Sequence, residues 1–304
     1  MIESIKSHHG KGNTNLRIHK FIAESGYCSR RAAEELVREG KVFVNKKPAF
    51  IGQDVDPERD SVFCDGHRLH LKTANKRYFM FYKPRGVITA MKAQDDRSVV
   101  ADLIGGIKGR VYPVGRLDRD SEGLLLLTDD GEAAQKLTHP SHEISKTYRV
   151  TVKGDPTDEQ LTTLRSGVKL DDGDVTQPAQ VEIQAQKDGK TVLHITIHEG
   201  KNRQIRRMCD AVGLEIHLLK RIAVGNLSLG HLQPGEYRPL STKETEELLS
   251  SIGIDPSSKI IKKPQDAKKG DPVAQRYAQK QRKSAKSVYE RRFLKQFGDK
   301  KKKK

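Results

Sequence analysis

Apolar positions along the chain change their period several times, and each change marks an element. Leu16, Ile18, Phe21 and Ile22 fall at helical spacing and predict a short amphipathic helix that ends near Gly26. Ser29 is placed to cap a second helix, Arg30 to Glu39, whose stripe is Ala32, Ala33, Leu36 and Val37. Gly40 closes it. Val42-Phe43-Val44 and Val62-Phe63-Cys64 read as strands, with a turn at Asn45-Lys46 and a loop at Asp54-Val55-Asp56-Pro57 between them. Two helices and a small sheet make residues 15–73 a compact module.

Ala74-Asn75-Lys76 reads as a linker. Beyond it the pattern is mostly strand-like. Tyr78 to Tyr82 is an apolar-aromatic strand broken by Lys83-Pro84-Arg85-Gly86. Leu124 to Thr128 is a continuous apolar run, followed by a turn at Asp129-Asp130-Gly131 and a short helix, Glu132 to Leu137. Lys146 to Val152, Val181 to Ile183 and Val192 to Ile197 alternate with period two. Asp158 to Arg165 and Asn202 to Val212 read as helices, and Gly213 ends the second. Ile216 to Leu219, Leu227 to Leu229 and Tyr237 to Leu240 are strand-like. A last helix, Lys243 to Leu249, opens after Ser241 or Thr242. Many strands, several helices and no regular βαβ alternation predict an α+β fold.

At 304 residues the chain suits two domains with extensions. No apolar run approaches the roughly 20 residues that span a bilayer. The start, Met1-Ile2-Glu3-Ser4, lacks a basic segment leading into an apolar one, so no signal peptide is expected. Cys28, Cys64 and Cys209 are odd in number, far apart and without a CxxC pair. That argues against a zinc site or disulfide framework and fits a reducing cytoplasm. The net charge is +17, but residues 257–304 hold 18 Lys and Arg against 4 Asp and Glu, so the other 256 residues carry only +3. That tail and residues 1–14 are expected to be disordered. A polyanion-binding body must therefore rest on local patches.

Three stretches supply such patches. Around the first helix pair lie Arg17, Lys20, Arg30, Arg31, Lys41, Lys46 and Lys47, with Glu24, Glu34, Glu35 and Glu39 interleaved. They form either a phosphate-binding face or a solvated one. Arg30 and Arg31 follow a capped helix start, where free backbone N–H groups favour phosphate. The second stretch is Glu199 to Met208: on a helix beginning near Asn202, Ile205, Met208 and the following Cys209 would face the core. Arg203, Arg206 and Arg207 then form one cationic surface, or one of them turns inward to a buried carboxylate. In Lys146-Thr147-Tyr148-Arg149, Tyr148 points away from its neighbours, either to stack on an unpaired base or to fill the core. Asp118 sits between Arg116 and Arg119 within Gly115 to Gly123, just before an apolar run. Flanking cations favour its charge while the apolar wall makes that charge costly, an arrangement shared by catalytic carboxylates and by structural turns. His139, His142, His198 and His217 lack metal-ligand spacing. No Walker loop, dinucleotide glycine motif or Ser-His-Asp order is present.

Together these stretches, from Leu16 to Leu249, resemble one family: the bacterial ribosomal RNA pseudouridine synthases of the RsuA/RluB/RluE/RluF type. "SRRAAEELVREGKVFVNKK" resembles an S4-type RNA-binding domain, and "YKPRGVITA" the entry strand and loop of the catalytic domain. "VGRLDRDSEGLLLLTDDGE" is similar to the signature around the catalytic aspartate, "KTYRV" to the tyrosine motif and "EGKNRQIRRM" to the arginine motif. "RQIRRMC" with "VGNLSL" downstream looks most like the RluF branch, which acts on large-subunit RNA.

The resemblance implies an S4-type domain over residues 15–73. It further implies a catalytic domain over 76–256 with a mainly antiparallel mixed sheet flanked by helices. It makes Asp118 the nucleophile, Tyr148 the residue stacking on the base and Arg206 the partner of the aspartate. Arg116, Arg119, Lys83, Arg85, Arg203 and Arg207 become expected contacts to the RNA backbone. Arg17, Lys20, Arg30, Arg31 and Lys41 are expected to bind RNA from the first domain. The implied reaction breaks a uridine's glycosidic bond, rotates the uracil and rejoins it through carbon 5. It needs no metal or organic cofactor. The implied partner is ribosomal RNA, met by a monomer away from any membrane. Small-subunit or transfer RNA as target, and a non-catalytic assembly factor, stand as alternatives.

Overall fold

The computed structural model describes residues 15–71, 76–93 and 95–259. The expectations for residues 1–14, for the linker at Ala74 and Asn75 and for the tail beyond 259 lie outside them. The chain divides into two compact units, Met1–Ala74 and Asn75–Lys304.

The first unit runs β1 (Leu16–Arg17), α1 (Ile18–Glu24), α2 (Arg30–Arg38), β2 (Val42–Val44), β3 (Lys47–Pro48), β4 (Asp54–Val55), β5 (Val62–Cys64) and β6 (His67–Leu69). The Ser29 hydroxyl accepts the Ala32 amide at 3.1 Å and starts α2, as its position predicts. Leu16 is not helical. It pairs with Val55 in a two-stranded ribbon that fixes where α1 begins. Ile18, Phe21, Ile22, Ala33 and Val37 from the helices pack on Val42, Val44, Val62 and Cys64 from the four-stranded sheet β3-β2-β5-β6.

The second unit begins with β7 (Tyr78–Lys83), α3 (Val100–Leu103), β8 (Tyr112–Val114), β9 (Glu122–Thr128) and α4 (Gly131–Thr138). It continues through β10 (Lys146–Lys153), α5 (Asp158–Ser166), β11 (Gln180–Lys187), β12 (Lys190–Ile197) and α6 (Gln204–Ala211). β13 (Ile216–Val224), β14 (Leu227–Ser228), β15 (Tyr237–Pro239) and α7 (Thr242–Ser251) complete it. Its sheet has the order β11-β12-β10-β13-β9-β7-β15, with β14 on β13 and β8 on β9. Neighbours along it are antiparallel except at one seam, where β13 and β9 run parallel through Lys220 opposite Glu122 and Arg221 opposite Gly123.

Both faces of this sheet are covered, which explains the unbroken apolar runs of β7 and β9. Phe79, Phe81, Leu125 and Leu127 face one core with α3, α5 and α6. Tyr78, Met80, Tyr82, Leu124 and Leu126 face the other with α4 and α7. Asp130 accepts the Glu132 and Ala133 amides to cap α4, and Ser241 caps α7.

The boundary expected at residue 256 moves outward. Pro256–Ser258 form a short 3₁₀ turn. Lys259 then places its ammonium 3.2 Å from the buried Asp130 carboxylate and 2.9 Å from Glu132. These residues therefore belong to the folded unit.

Candidate functional site

The seam is where the site forms. Gly123 has φ +111°, and a Cβ there would meet the Arg221 carbonyl oxygen at 2.2 Å. Only glycine lets β9 and β13 approach so closely. Lys83, Gly123 and Arg221 lie in register across β7, β9 and β13.

The loop leading into β9 carries Asp118. Three groups from β7 and the residues after it hold this loop. The Gly86 amide donates to the Arg119 carbonyl at 2.6 Å. The Thr89 hydroxyl donates to the Leu117 carbonyl at 2.7 Å and accepts the Leu117 amide at 3.1 Å. The Lys83 ammonium donates to the carbonyls of Ser121, Val87 and Pro84 at 2.8, 2.7 and 3.0 Å.

Lys83 is therefore not a contact to an RNA backbone. Its side chain is 0% exposed, and all three of its donors are spent on backbone carbonyls: one ties the Asp118 loop to β7 at Ser121, and two close the turn at Pro84 and Val87. Burial pushes its pKa down to about 8, against the pull of the nearby Asp118, Glu122 and Asp120 charges.

The arginines of the α6 region depart from expectation too. The helix opens at Gln204, and Arg203 before it is left-handed, with φ 48°. The three arginines do not form one surface: Arg203 and Arg206 converge on Asp120, and Arg207 faces Asp171 and Asp172. Arg203 Nη1 lies 3.8 Å from Asp118 Oδ2 and 3.3 Å from Asp120 Oδ1. Arg206, expected to pair with Asp118, lies instead on Asp120. Its Nη2 donates to the Asp120 carbonyl at 3.1 Å and to Ser121 Oγ at 3.3 Å. Its Nε stands 3.3 Å from Asp120 Oδ2 but out of line for a hydrogen bond. Arg206, with Arg203, holds the Asp120 pKa down against the opposing effect of burial. Arg207 turns away to Asp171 and Asp172, the latter at 2.6 Å.

These elements enclose a cavity of about 740 Å³. Asp118, Arg119 and Ser121 line one wall, and Lys201 to Ile205 another. Tyr148, Ile197, Leu219 and Arg221 come from the β12-β10-β13 side. Tyr148 is 9% exposed and is the cross-strand neighbour of Arg221, at a bulge between β10 and β13. Arg116 and Arg119 are exposed, and so is Arg85 beyond the end of β7. Lys146 also lines the cavity, its ammonium on the carbonyls of Ile144 and Glu199. Burial, then Arg221, lowers its pKa. His198 lines it as well, with Nδ1 3.0 Å from the Glu143 carbonyl.

A half-exposed carboxylate, a buried tyrosine and several cations thus converge on a pocket that can take a flat, polar ring. In the first unit, Arg17, Lys20 and Lys41 pair with Asp54, Glu24 and Glu39, while Arg30 and Arg31 stand exposed at the start of α2. Among the described residues, no cluster of His, Cys, Asp and Glu has metal-binding geometry, and no helix is long and apolar enough to cross a membrane.

The RNA pseudouridylate synthase family profile matches residues 77–211, and the S4 domain profile matches residues 16–59. The chain is 45% identical over 235 residues to ribosomal large subunit pseudouridine synthase B of Bacillus subtilis (strain 168), covering 76% of this chain and 95% of that one. It belongs to the RNA pseudouridine synthases. The S4 domain ahead of the synthase domain makes it an RsuA-type member. The dual-specificity RNA pseudouridine synthase RluF of Shigella flexneri is 36% identical, over 79% of this chain and 80% of the relative. A pseudouridylate synthase crystal structure superposes with a TM-score of 0.55 at 32% identity, covering 77% of this chain and 99% of that one.

For a pseudouridine synthase of this build, one charged residue of the cavity escapes the sequence motifs: Arg221. The signal for Arg221 was the pair of charges Lys220-Arg221 set between the apolar residues Leu218-Leu219 and Ile222-Ala223-Val224, one of which must face the interior of a strand.

Proposed function

We propose that this enzyme isomerises one uridine of large-subunit ribosomal RNA, with Asp118 as the nucleophile. The observation that carries the reading is convergence. Asp118, Tyr148 and Arg203 come from three separated segments to one cavity at the seam of the sheet. The 45% identity to a large-subunit synthase supports the choice of RNA.

The target nucleotide leaves its stack to enter, at a cost of about a few kcal/mol that stacking and backbone contacts offset. Tyr148 lies against the flipped base, and its hydroxyl relays the proton steps at carbon 5. The Asp118 carboxylate attacks the base or the sugar, or assists loss of the base as a glycal. Arg203, 3.8 Å away, steadies that carboxylate. Asp120 keeps Arg206 off it, which leaves the attacking oxygens open. The S4 domain, with Arg30 and Arg31 on its exposed face, holds the surrounding RNA.

Pseudouridine mapping of ribosomal RNA from a strain lacking this gene tests the reading. One large-subunit pseudouridine should vanish and return with the plasmid-borne gene. A loss confined to small-subunit or transfer RNA overturns the choice of target.

A further inference from the structure

Arg221 is a buried cation with no counter-ion. It is 5% exposed, yet no carboxylate lies within 4 Å of it among the described residues. Its side chain makes one hydrogen bond there, from Nε to the Leu124 carbonyl at 2.8 Å. A guanidinium has five donors and never loses its charge in a protein. The Arg221 Nη groups are not sealed in the core but keep access to the cavity, where a negative group can meet them. Arg221 lines the cavity beside Tyr148, and the Gly123 contact fixes its backbone. It is thus aimed before any substrate enters.

We infer that Arg221 is a catalytic residue that stabilises the detached uracil as an anion. The inference rests on pseudouridine formation in this cavity. When the C1′–N1 bond breaks, its electron pair passes to N1 and spreads onto the two carbonyl oxygens of uracilate. The guanidinium donates hydrogen bonds to that charge. After the ring turns, C5 supplies the pair that forms the C1′–C5 bond, while the bond from C1′ to the Asp118 carboxylate breaks or, by the glycal route, C2′ takes back its proton. The C5 proton then leaves and N1 takes one up, so the product is an isomer of the starting nucleotide. A fixed cation facing charge that develops only in the transition state is worth most in a water-poor site.

The test uses the full chain and an unmodified large-subunit RNA transcript under single-turnover conditions. Arg221→Gln should lower the rate about 100-fold, with RNA affinity within about twofold of wild type. Arg221→Lys should recover part of the loss, since an ammonium keeps the charge but not the planar fork. A second transcript carries 5-fluorouridine at the target. Fluorine stabilises the departing anion, so the Arg221→Gln deficit, read as consumption of the target nucleotide, should shrink. A purely structural arginine would give equal deficits on both RNAs, and that result overturns the inference, as does a wild-type rate for Arg221→Gln. If Arg221→Gln fails to fold, Arg221→Lys carries the same comparison of the two RNAs. Asp118→Asn run alongside separates this inference from the nucleophile assignment. An inactive Asp118→Asn with a fully active Arg221→Gln rejects Arg221 alone. The reverse pattern rejects Asp118 and leaves Arg221 standing.

Discussion

The two units use basic residues in opposite ways. In the first, Arg17, Lys20 and Lys41 meet Asp54, Glu24 and Glu39 at the surface, at 3.4, 3.8 and 2.9 Å. Exposed pairs of this kind contribute about 0–1 kcal/mol each and weaken with salt. Any of them can turn to a phosphate at little cost. In the second unit, Lys83, Arg206 and Arg221 are buried or nearly so, and each is tied to backbone carbonyls around the cavity. There the same charges set geometry. The difference teaches that burial, more than charge, decides whether a basic residue stays available to a partner or fixes the geometry of the cavity.

The comparison predicts steep, individual losses at the seam and shallow, additive ones in the first unit. Gly123→Ala should cost the most, on the order of 4 kcal/mol of stability, because the new methyl meets backbone and the φ of +111° strains any other residue. Denaturant unfolding measures it, and a loss under about 1 kcal/mol would break the account of the seam.

Lys83→Met should come next, at about 2–3 kcal/mol, since it strands three carbonyls in the interior. Its pH dependence has a definite sign. Burial lowers the folded-state pKa from 10.5 to about 8. Between those values the unfolded chain binds the extra proton, so stability rises with pH. The wild-type advantage over Lys83→Met should therefore grow from pH 8 to 10.5. An advantage that shrinks over that range would show the ammonium to be better held than the burial argument allows.

Arg30→Ala and Arg31→Ala should do least. Each should leave stability within about 0.5 kcal/mol. Each should also lower the salt slope of RNA binding by about 0.7–0.9 for every phosphate the variant no longer neutralises. An all-or-none loss of binding from either would erase the contrast between the units.

Much of the fold was legible along the chain. Ser29 and Ser241 mark the helix starts they were expected to mark, Asp130 proves to be a cap where only a turn was expected, and the period-two runs became β10, β11 and β12. The linkage of side chains was harder to see. Lys83 lies at the end of a strand buried on both faces, where alternation carries no signal about which side chains reach solvent. The left-handed Arg203 delays the start of α6 and redirects Arg206 from Asp118 to Asp120, a backbone detail that residue types do not encode. Arg221 acquires its meaning only from the parallel seam, which joins residues nearly a hundred positions apart.

Asp118→Asn tests the central claim most directly. Purified wild type and variant are compared on unmodified large-subunit RNA, with pseudouridine and RNA binding measured in parallel. The account predicts pseudouridine from the wild type alone, with equal binding by both. Equal product from both proteins would contradict it.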